Sequence, residues 1–189
     1  MEVGCLIKLK IMKFVKSFKD YNGVSEALKI HVDEGLDLTN SFFRLGSDAY
    51  VELFEEVKQY WDKGNVILKG PSGWMAKNLE VGKKAVYKYK GKRQNVKLDS
   101  PKRGGNKKFI VYRNSGRTEE DGTIIAKKLE WGDPTTTVKN DDPGRAASFW
   151  ARHGCDKMAK MNPEKAGFWA CYGPTLFGKQ LGIKSDQPW

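Results

Sequence analysis

The sequence predicts an α+β fold with an N-terminal amphipathic helix, a small antiparallel β-rich basic middle, and C-terminal short helices around an aromatic and cysteine core. Three observations predict it. Apolar residues recur at helical spacing between Ser47 and Gly64, apolar and charged residues alternate between Lys83 and Trp131, and a capped, aromatic-rich segment follows Asp142. With 39% hydrophobic and 12% aromatic residues, the 189-residue chain has the composition of a folded protein.

Residues 1–40 read as an N-terminal arm, mobile or dependent on a partner. "KIMKFVKSFKDY" sets Ile11, Phe14, Val15 and Phe18 at helical spacing, but Gly23 and Gly35 then interrupt the pattern. Residues 41–82 form a helical segment. In "GSDAYVELFEEVKQYWDKGN", Ser47 can cap the helix, Asp48 suits the positive end of its dipole, and Gly64 stops it. Tyr50, Leu53, Phe54, Val57 and Trp61 make one apolar stripe, expected to be core or an interaction seam for a partner. "LKGPSG" reads as a loop.

Residues 83–134 are expected to be the basic β-rich module. In "KAVYKYKGKRQNVKLDSP", Ala85, Tyr87 and Tyr89 face one way and Val86, Lys88 and Lys90 the other, with a turn at Gly91 and a second strand to Leu98. "PKRGGNK" is the most linker-like stretch. A hairpin follows, with one strand around Phe109 to Tyr112 and a return strand through Ile124 to Trp131, ended by Pro134.

Residues 135–189 are expected to be a helical module. Asp142 is a cap, Pro143 sits at the first helical position and Gly154 can terminate the helix, with Ala146, Phe149, Trp150 and His153 on one face. A second short helix, "PTLFGKQLG", is expected after Cys171.

Charge is concentrated in the β-rich module. Between Lys83 and Arg113 lie twelve cations, namely Lys83, Lys84, Lys88, Lys90, Lys92, Arg93, Lys97, Lys102, Arg103, Lys107, Lys108 and Arg113, against Asp99 alone. That block carries the whole net charge of +11. It suits a nucleic-acid backbone or another acidic surface, or else a solvated lysine-rich sheet face, and Tyr87, Tyr89 and Tyr112 beside it can stack on bases or merely pack.

The candidates for chemistry are few. His153, Cys155 and Cys171 supply three metal ligands at most, Asp156 being the one available fourth, and no Cys-x-x-Cys pair is present. His153 and Cys155 lack a third group to form a nucleophilic triad, and "KGPSGW" lacks the lysine and hydroxyl of a phosphate-binding loop. The chain reads as having no catalytic residue, no cofactor and no bound metal. Cys155 and Cys171 are left free, disulfide-bonded or zinc-bound, in a small core expected to hold Phe149, Trp150 and Trp169 as well. The apolar runs are short and broken by lysines, so neither a membrane span nor a signal peptide is expected. Three cysteines without framework spacing fit synthesis in a reducing cytoplasm.

Several stretches together carry a resemblance: "KKFIVYRN", "WGDP", "VKNDDPGRAASFWARHGC", "AGFWACYGPTLFGKQLG" and a terminal aromatic, preceded by Tyr89 to Lys92, Val96 to Leu98 and Pro101 to Gly105 and by "FRLGSDAYVELFEEVKQYW". Over roughly residues 40 to 189 the chain resembles a C-terminal module of uncharacterised head- or virion-associated proteins of tailed bacteriophages, marine ones especially. It departs from that pattern in the spacer between Cys155 and Cys171 and in the tail after Gly182. The resemblance implies a structural or assembly protein of the virion, made in the host cytoplasm, with other phage structural proteins and packaged DNA as partners and no catalytic residues to carry over. The alternatives are a non-virion nucleic-acid-binding factor and a metal-dependent nuclease using His153, Cys155, Cys171 and Asp156.

Overall fold

Ser25 caps helix α1 (Glu26–Asp33) by accepting the Leu28 amide hydrogen at 3.1 Å, which satisfies a donor the helix itself cannot. Its hydroxyl and its amide also donate to Glu56 of helix α2 (Asp48–Asp62), at 2.5 and 2.7 Å. This computed structural model describes residues 23–44, 46–68, 70–136, 142–155 and 162–183. The expected helical turn at Ile11 to Phe18 lies outside them, as do Asp156 and the terminal aromatic.

Residues 23–40 correct the expectation of an arm. Val24, Leu28, Val32 and Leu38 are buried in the main core, and Gly35, which the sequence offered as an interruption, ends α1 in the left-handed region at φ +62°. α2 is capped by Ser47 as expected and buries Tyr50, Leu53, Phe54 and Val57 on one side, with Trp61 half-buried against the same cluster. The stripe is intramolecular core. The expected loop at "LKGPSG" instead begins helix α3 (Gly70–Asn78). A proline is tolerated in a first helical turn, where its missing N–H has no partner to lose. Met75 and Ala76 of α3 are buried, and Trp74 stacks on Phe168 at 4.7 Å.

Five strands follow: β1 (Lys84–Tyr89), β2 (Lys92–Lys97), β3 (Lys102–Arg103), β4 (Phe109–Thr118) and β5 (Ile124–Trp131), in the order β2-β1-β5-β4-β3. The sheet is mixed rather than wholly antiparallel, because β1 and β5 run parallel with Val86 opposite Ile125. These two strands are not joined by a turn, so no hairpin dictates their relative direction. The linker-like "PKRGGNK" supplies β3, whose Lys102 pairs with Ile110.

Alternation along β4 divides the interior in two. Phe109 and Val111 face the helices in the main core, whereas Ile110 and Tyr112 face a second cluster with Ala85, Val96, Leu98 and Ala126. No helical residue belongs to that second cluster among the described residues. It is closed by curling of the sheet: Leu98 bridges to Tyr112 and the Asp99 amide donates to the Tyr112 carbonyl at 2.9 Å, so the chain leaving β2 at one edge reaches β4 near the other.

Helix α4 (Pro143–His153) has the expected ends, with Asp142 accepting from the Gly144 and Arg145 amides and Gly154 in the left-handed region. It buries no residue, and Phe149 and Trp150 are only half-buried. The short helix expected after Cys171 is the second half of a longer one, α5 (Ala166–Leu181), which contains Cys171 and Pro174 and departs from helical angles at Phe177. The aromatic core is therefore built on α5 and not on α4. Phe168, Trp169, Leu176, Phe177 and Leu181 are buried, Trp131 packs on Trp169 at 5.8 Å, and the Trp169 indole donates to the Pro163 carbonyl at 2.8 Å. Burial of these large side chains outweighs the roughly 3 kcal/mol that an internal proline costs a helix. A disulfide joins Cys155, just past α4, to Cys171, and both are buried. Among the described residues no helix is long and apolar enough to cross a membrane.

One buried histidine makes the fold sensitive to acid. His31 Nδ1 lies 2.8 Å from the Ala27 carbonyl, which fixes the proton there, and Nε2 lies 3.0 Å from the buried Ser41 hydroxyl, which donates to it. Burial lowers the His31 pKa, against the smaller opposing effect of the Ala27 carbonyl. The unfolded chain therefore takes up a proton before the folded one does. Stability should be full above the ordinary histidine value of about 6.5 and fall below it, by at most about 1.4 kcal/mol per pH unit from this site. Urea unfolding of wild type and His31→Gln between neutral and mildly acidic pH checks this, and the variant should lose that part of the slope.

Candidate nucleic-acid interface

The basic block looks unopposed in sequence, but folding brings carboxylates to it from elsewhere. Glu119 accepts from both Lys88 (2.5 Å) and Arg93 (3.0 Å), and the two cations hold its carboxyl below the usual range. Lys83 pairs with Glu80 at 2.9 Å, and Lys97 pairs with Asp48 at the start of α2 at 2.7 Å. Arg113 is only 7% exposed and bonds Asp99 and Glu164, so it belongs to the interior. Arg103 donates to the Leu181 carbonyl at 2.8 Å and closes the end of α5, and Lys108 donates to the Thr136 carbonyl. These seven cations are engaged within the fold.

Five of the twelve are left: Lys84, Lys90, Lys92, Lys102 and Lys107, all exposed and in no ion pair among the described residues. Three of them gather with the tyrosines. Ala85, Tyr87 and Tyr89 share one side of β1, as the alternation predicted, and this is the concave side that holds the second cluster. Directly opposite side chains of paired antiparallel strands share a face. Lys92 lies opposite Tyr89, Lys128 opposite Tyr112, and Lys102 opposite Ile110, so all three side chains leave the concave face. The Lys90 ammonium lies 5.4 Å from the Tyr89 ring, that of Lys128 lies 6.0 Å from Tyr87, and that of Lys102 lies 5.9 Å from Tyr112.

Exposure then separates the tyrosines. Tyr112 is 5% exposed and is the floor of the site, while Tyr87 is half-buried and packs on it at 5.2 Å. Tyr89 is 58% exposed, the most exposed large apolar or aromatic side chain among the described residues. The rings of Tyr87 and Tyr89 are nearly parallel, 8° apart in plane with centroids 6.3 Å apart. Glu130 lies on this side of the sheet, 3.2 Å from Lys128, and the Glu80 carboxylate accepts from Asn114 on the same side at 3.0 Å. Burial alone would lower the Lys128 ammonium, but Glu130 and the two neighbouring phenols outweigh it and raise it, so Lys128 stays charged.

Lys128 is the site residue that sequence reasoning missed. It lies outside the dense basic run, and only the pairing of β5 with β4 brings it to the tyrosines; its alternation with Ala126 and Glu130 was the available signal.

The other candidates disperse. Cys155 and Cys171 are bonded to each other, which leaves neither sulfur as a thiolate ligand or nucleophile, and His153 is exposed at the end of α4 against the Phe149 ring, 4.3 Å away. The proposed fourth ligand, Asp156, falls outside the described residues. A cavity of about 1120 Å³ lies between α4, α5 and the ends of β4 and β5. Its walls mix Lys108, Arg145 and Arg152 with Asp133 and Asp142, so its charges come closer to balance than those beside the tyrosines. Comparison of the chain with protein-family models, with curated proteins and with solved structures finds no match.

Proposed function

We propose that this chain is a non-enzymatic nucleic-acid-contacting protein that binds phosphate backbones without sequence preference, and that it does so as a structural or assembly component of a tailed-phage particle. The observation that carries the binding is the margin of the concave sheet face, where Lys90 and Lys92 lie beside exposed Tyr89, Lys128 stands over Tyr87 and Lys102 over Tyr112, with Glu130 paired to Lys128. Lysines beside aromatic faces are the combination that sequence-tolerant binders use, since phosphate contacts supply affinity and every base has a face to stack. The phage setting rests on the resemblance over residues 40 to 189, which supplies packaged DNA and other virion proteins as the partners. Mass spectrometry of purified particles tests that setting directly.

The binding is tested by titrating labelled DNA with the protein over a range of salt. Affinity should fall steeply as salt rises. Lys90→Gln, Lys92→Gln and Lys102→Gln together should reduce the slope of log affinity against log salt by about 2–3, since each lost phosphate contact removes about 0.7–0.9. Lys88→Gln with Arg93→Gln should change it less, because both side chains are engaged by Glu119, which offsets one of their two charges. Equal effects from the two sets would remove the concave margin from the reading.

A further inference from the structure

We infer that the concave margin takes single-stranded nucleic acid, with bases stacked on Tyr87 and Tyr89, in preference to duplex. The inference rests on the proposed nucleic-acid contact and adds the strand class to it. Three observations carry it.

The first is the geometry of the rings. Tyr87 and Tyr89 stand side by side on one strand, 6.3 Å apart and almost parallel. That separation is nearly twice the roughly 3.4 Å rise per nucleotide within one strand of a duplex. Neighbouring bases reach both rings when the strand is drawn out and unstacked, which a free single strand allows and a duplex does not. A duplex offers only base edges in its grooves, and its base faces are already covered by their neighbours.

The second is the placement of charge. Lys92 lies across the ladder from Tyr89 and Lys90 lies over its ring, while Lys128 and Lys102 stand over the two tyrosines behind it. The lysine stems are flexible, so their ammonium groups can move from ring to phosphate when a base takes the ring face. The cations thus lie along the line of aromatic rings, as a backbone tracking past stacked bases requires.

The third concerns the competing geometry. A β-ribbon such as the β1–β2 hairpin is a shape that can enter a major groove. On the other side of this ribbon Lys88 and Arg93 converge on the Glu119 carboxylate. A ribbon seated in a groove has phosphates along both flanks, and on this flank both cations are already engaged by a carboxylate instead of being presented to phosphates. Among the described residues, no carboxylate pairs with Lys90 or Lys92 beside Tyr89 on the concave side.

The test uses the full chain, a short fluorescein-labelled oligodeoxythymidylate, and a duplex of the same length, at about 50 mM salt where phosphate contacts are strong. Fluorescence anisotropy should show the single strand bound at least about tenfold more tightly than the duplex. Tyr89→Ala should weaken single-strand binding by about fivefold to a hundredfold, the usual range for loss of one stacked base, and leave duplex binding unchanged. Tyr89→Phe should retain most of the affinity, because stacking needs the ring and not the hydroxyl. Tyr89 is exposed, so the fold is retained, and circular dichroism of each variant confirms it. Equal affinity for the two forms, or an unchanged affinity in Tyr89→Ala while lysine variants still weaken binding, overturns the single-strand inference and leaves the nucleic-acid contact standing. If neither form binds at low salt, the proposed function fails and this inference with it.

Discussion

Replacing Arg113 by methionine is expected to cost about 3–5 kcal/mol of folding stability, because it strands a carboxylate in the interior. Asp99 is fully buried, and its Oδ2 accepts from Arg113 Nη1 at 2.5 Å and from the Glu80 amide at 2.6 Å, while Oδ1 has no partner among the described residues. The other arm of the guanidinium reaches Glu164, just before α5, at 2.5 Å, and Nη1 also approaches the Asn78 carbonyl at the end of α3. One side chain on β4 thus ties together the β2–β3 connection, α3 and α5. Burial raises the Asp99 pKa even against Arg113, so without the guanidinium the carboxyl is more readily protonated in the folded state than in the unfolded chain. The loss in Arg113→Met should therefore shrink as pH falls towards the ordinary carboxylate range. Adding Asp99→Asn should recover part of it at neutral pH. Asparagine tolerates the left-handed backbone at this position (φ +48°), so that change removes charge without adding strain. Urea unfolding of the single and double variants is the measurement, and a loss under about 1 kcal/mol in Arg113→Met would show the pair to be dispensable.

Truncating the α2 stripe is expected to be as damaging. Leu53 and Phe54 are each 2% exposed, and Phe54 lies beside Tyr50, whose hydroxyl donates to the Leu38 carbonyl at 3.1 Å. α2 is the element against which α1 and α3 are laid, so a cavity there has little freedom to collapse. Leu53→Ala should lose about 2–5 kcal/mol and Phe54→Ala about 3–5 kcal/mol. Glu52→Ala, on the exposed side of the same helix, should stay within about 0.5 kcal/mol of wild type. Chemical unfolding midpoints at constant denaturant dependence check all three. A wild-type midpoint in Leu53→Ala would mean that the stripe is not part of the cooperative core.

Caps and periodicities are short-range, and the elements they specify were legible in the sequence. Ser47 and Asp142 receive the amides they were expected to receive, Gly154 ends α4 in the left-handed region, and Tyr50, Leu53, Phe54 and Val57 point the same way because a helix places every third and fourth residue on one side. The strand alternation set Ala85, Tyr87 and Tyr89 together for the same kind of reason. Packing decided the rest. Helix α5 runs on through Pro174 because burying Trp169, Phe177 and Leu181 outweighs the local penalty, and α4 remains unburied although its apolar spacing is regular. Residues 23–40 are ordered by a core whose other members lie far along the chain.

Charge shows the division most clearly. From sequence alone, twelve cations between Lys83 and Arg113 determine a basic protein and a polyanionic partner as the first expectation. Which of them can meet that partner depends on distances through space, since a carboxylate from Glu80, Asp48, Glu119 or Glu164 neutralises a cation only within a few ångströms. Those approaches are set by strand pairing and by the docking of α2 and α5 on the sheet. Carboxylates thereby engage five of the cations and backbone carbonyls engage Arg103 and Lys108, while strand pairing delivers Lys128 from β5 to Lys90, Lys92 and Lys102 beside the tyrosines, because side chains distant in the chain become neighbours only when the strands between them pair.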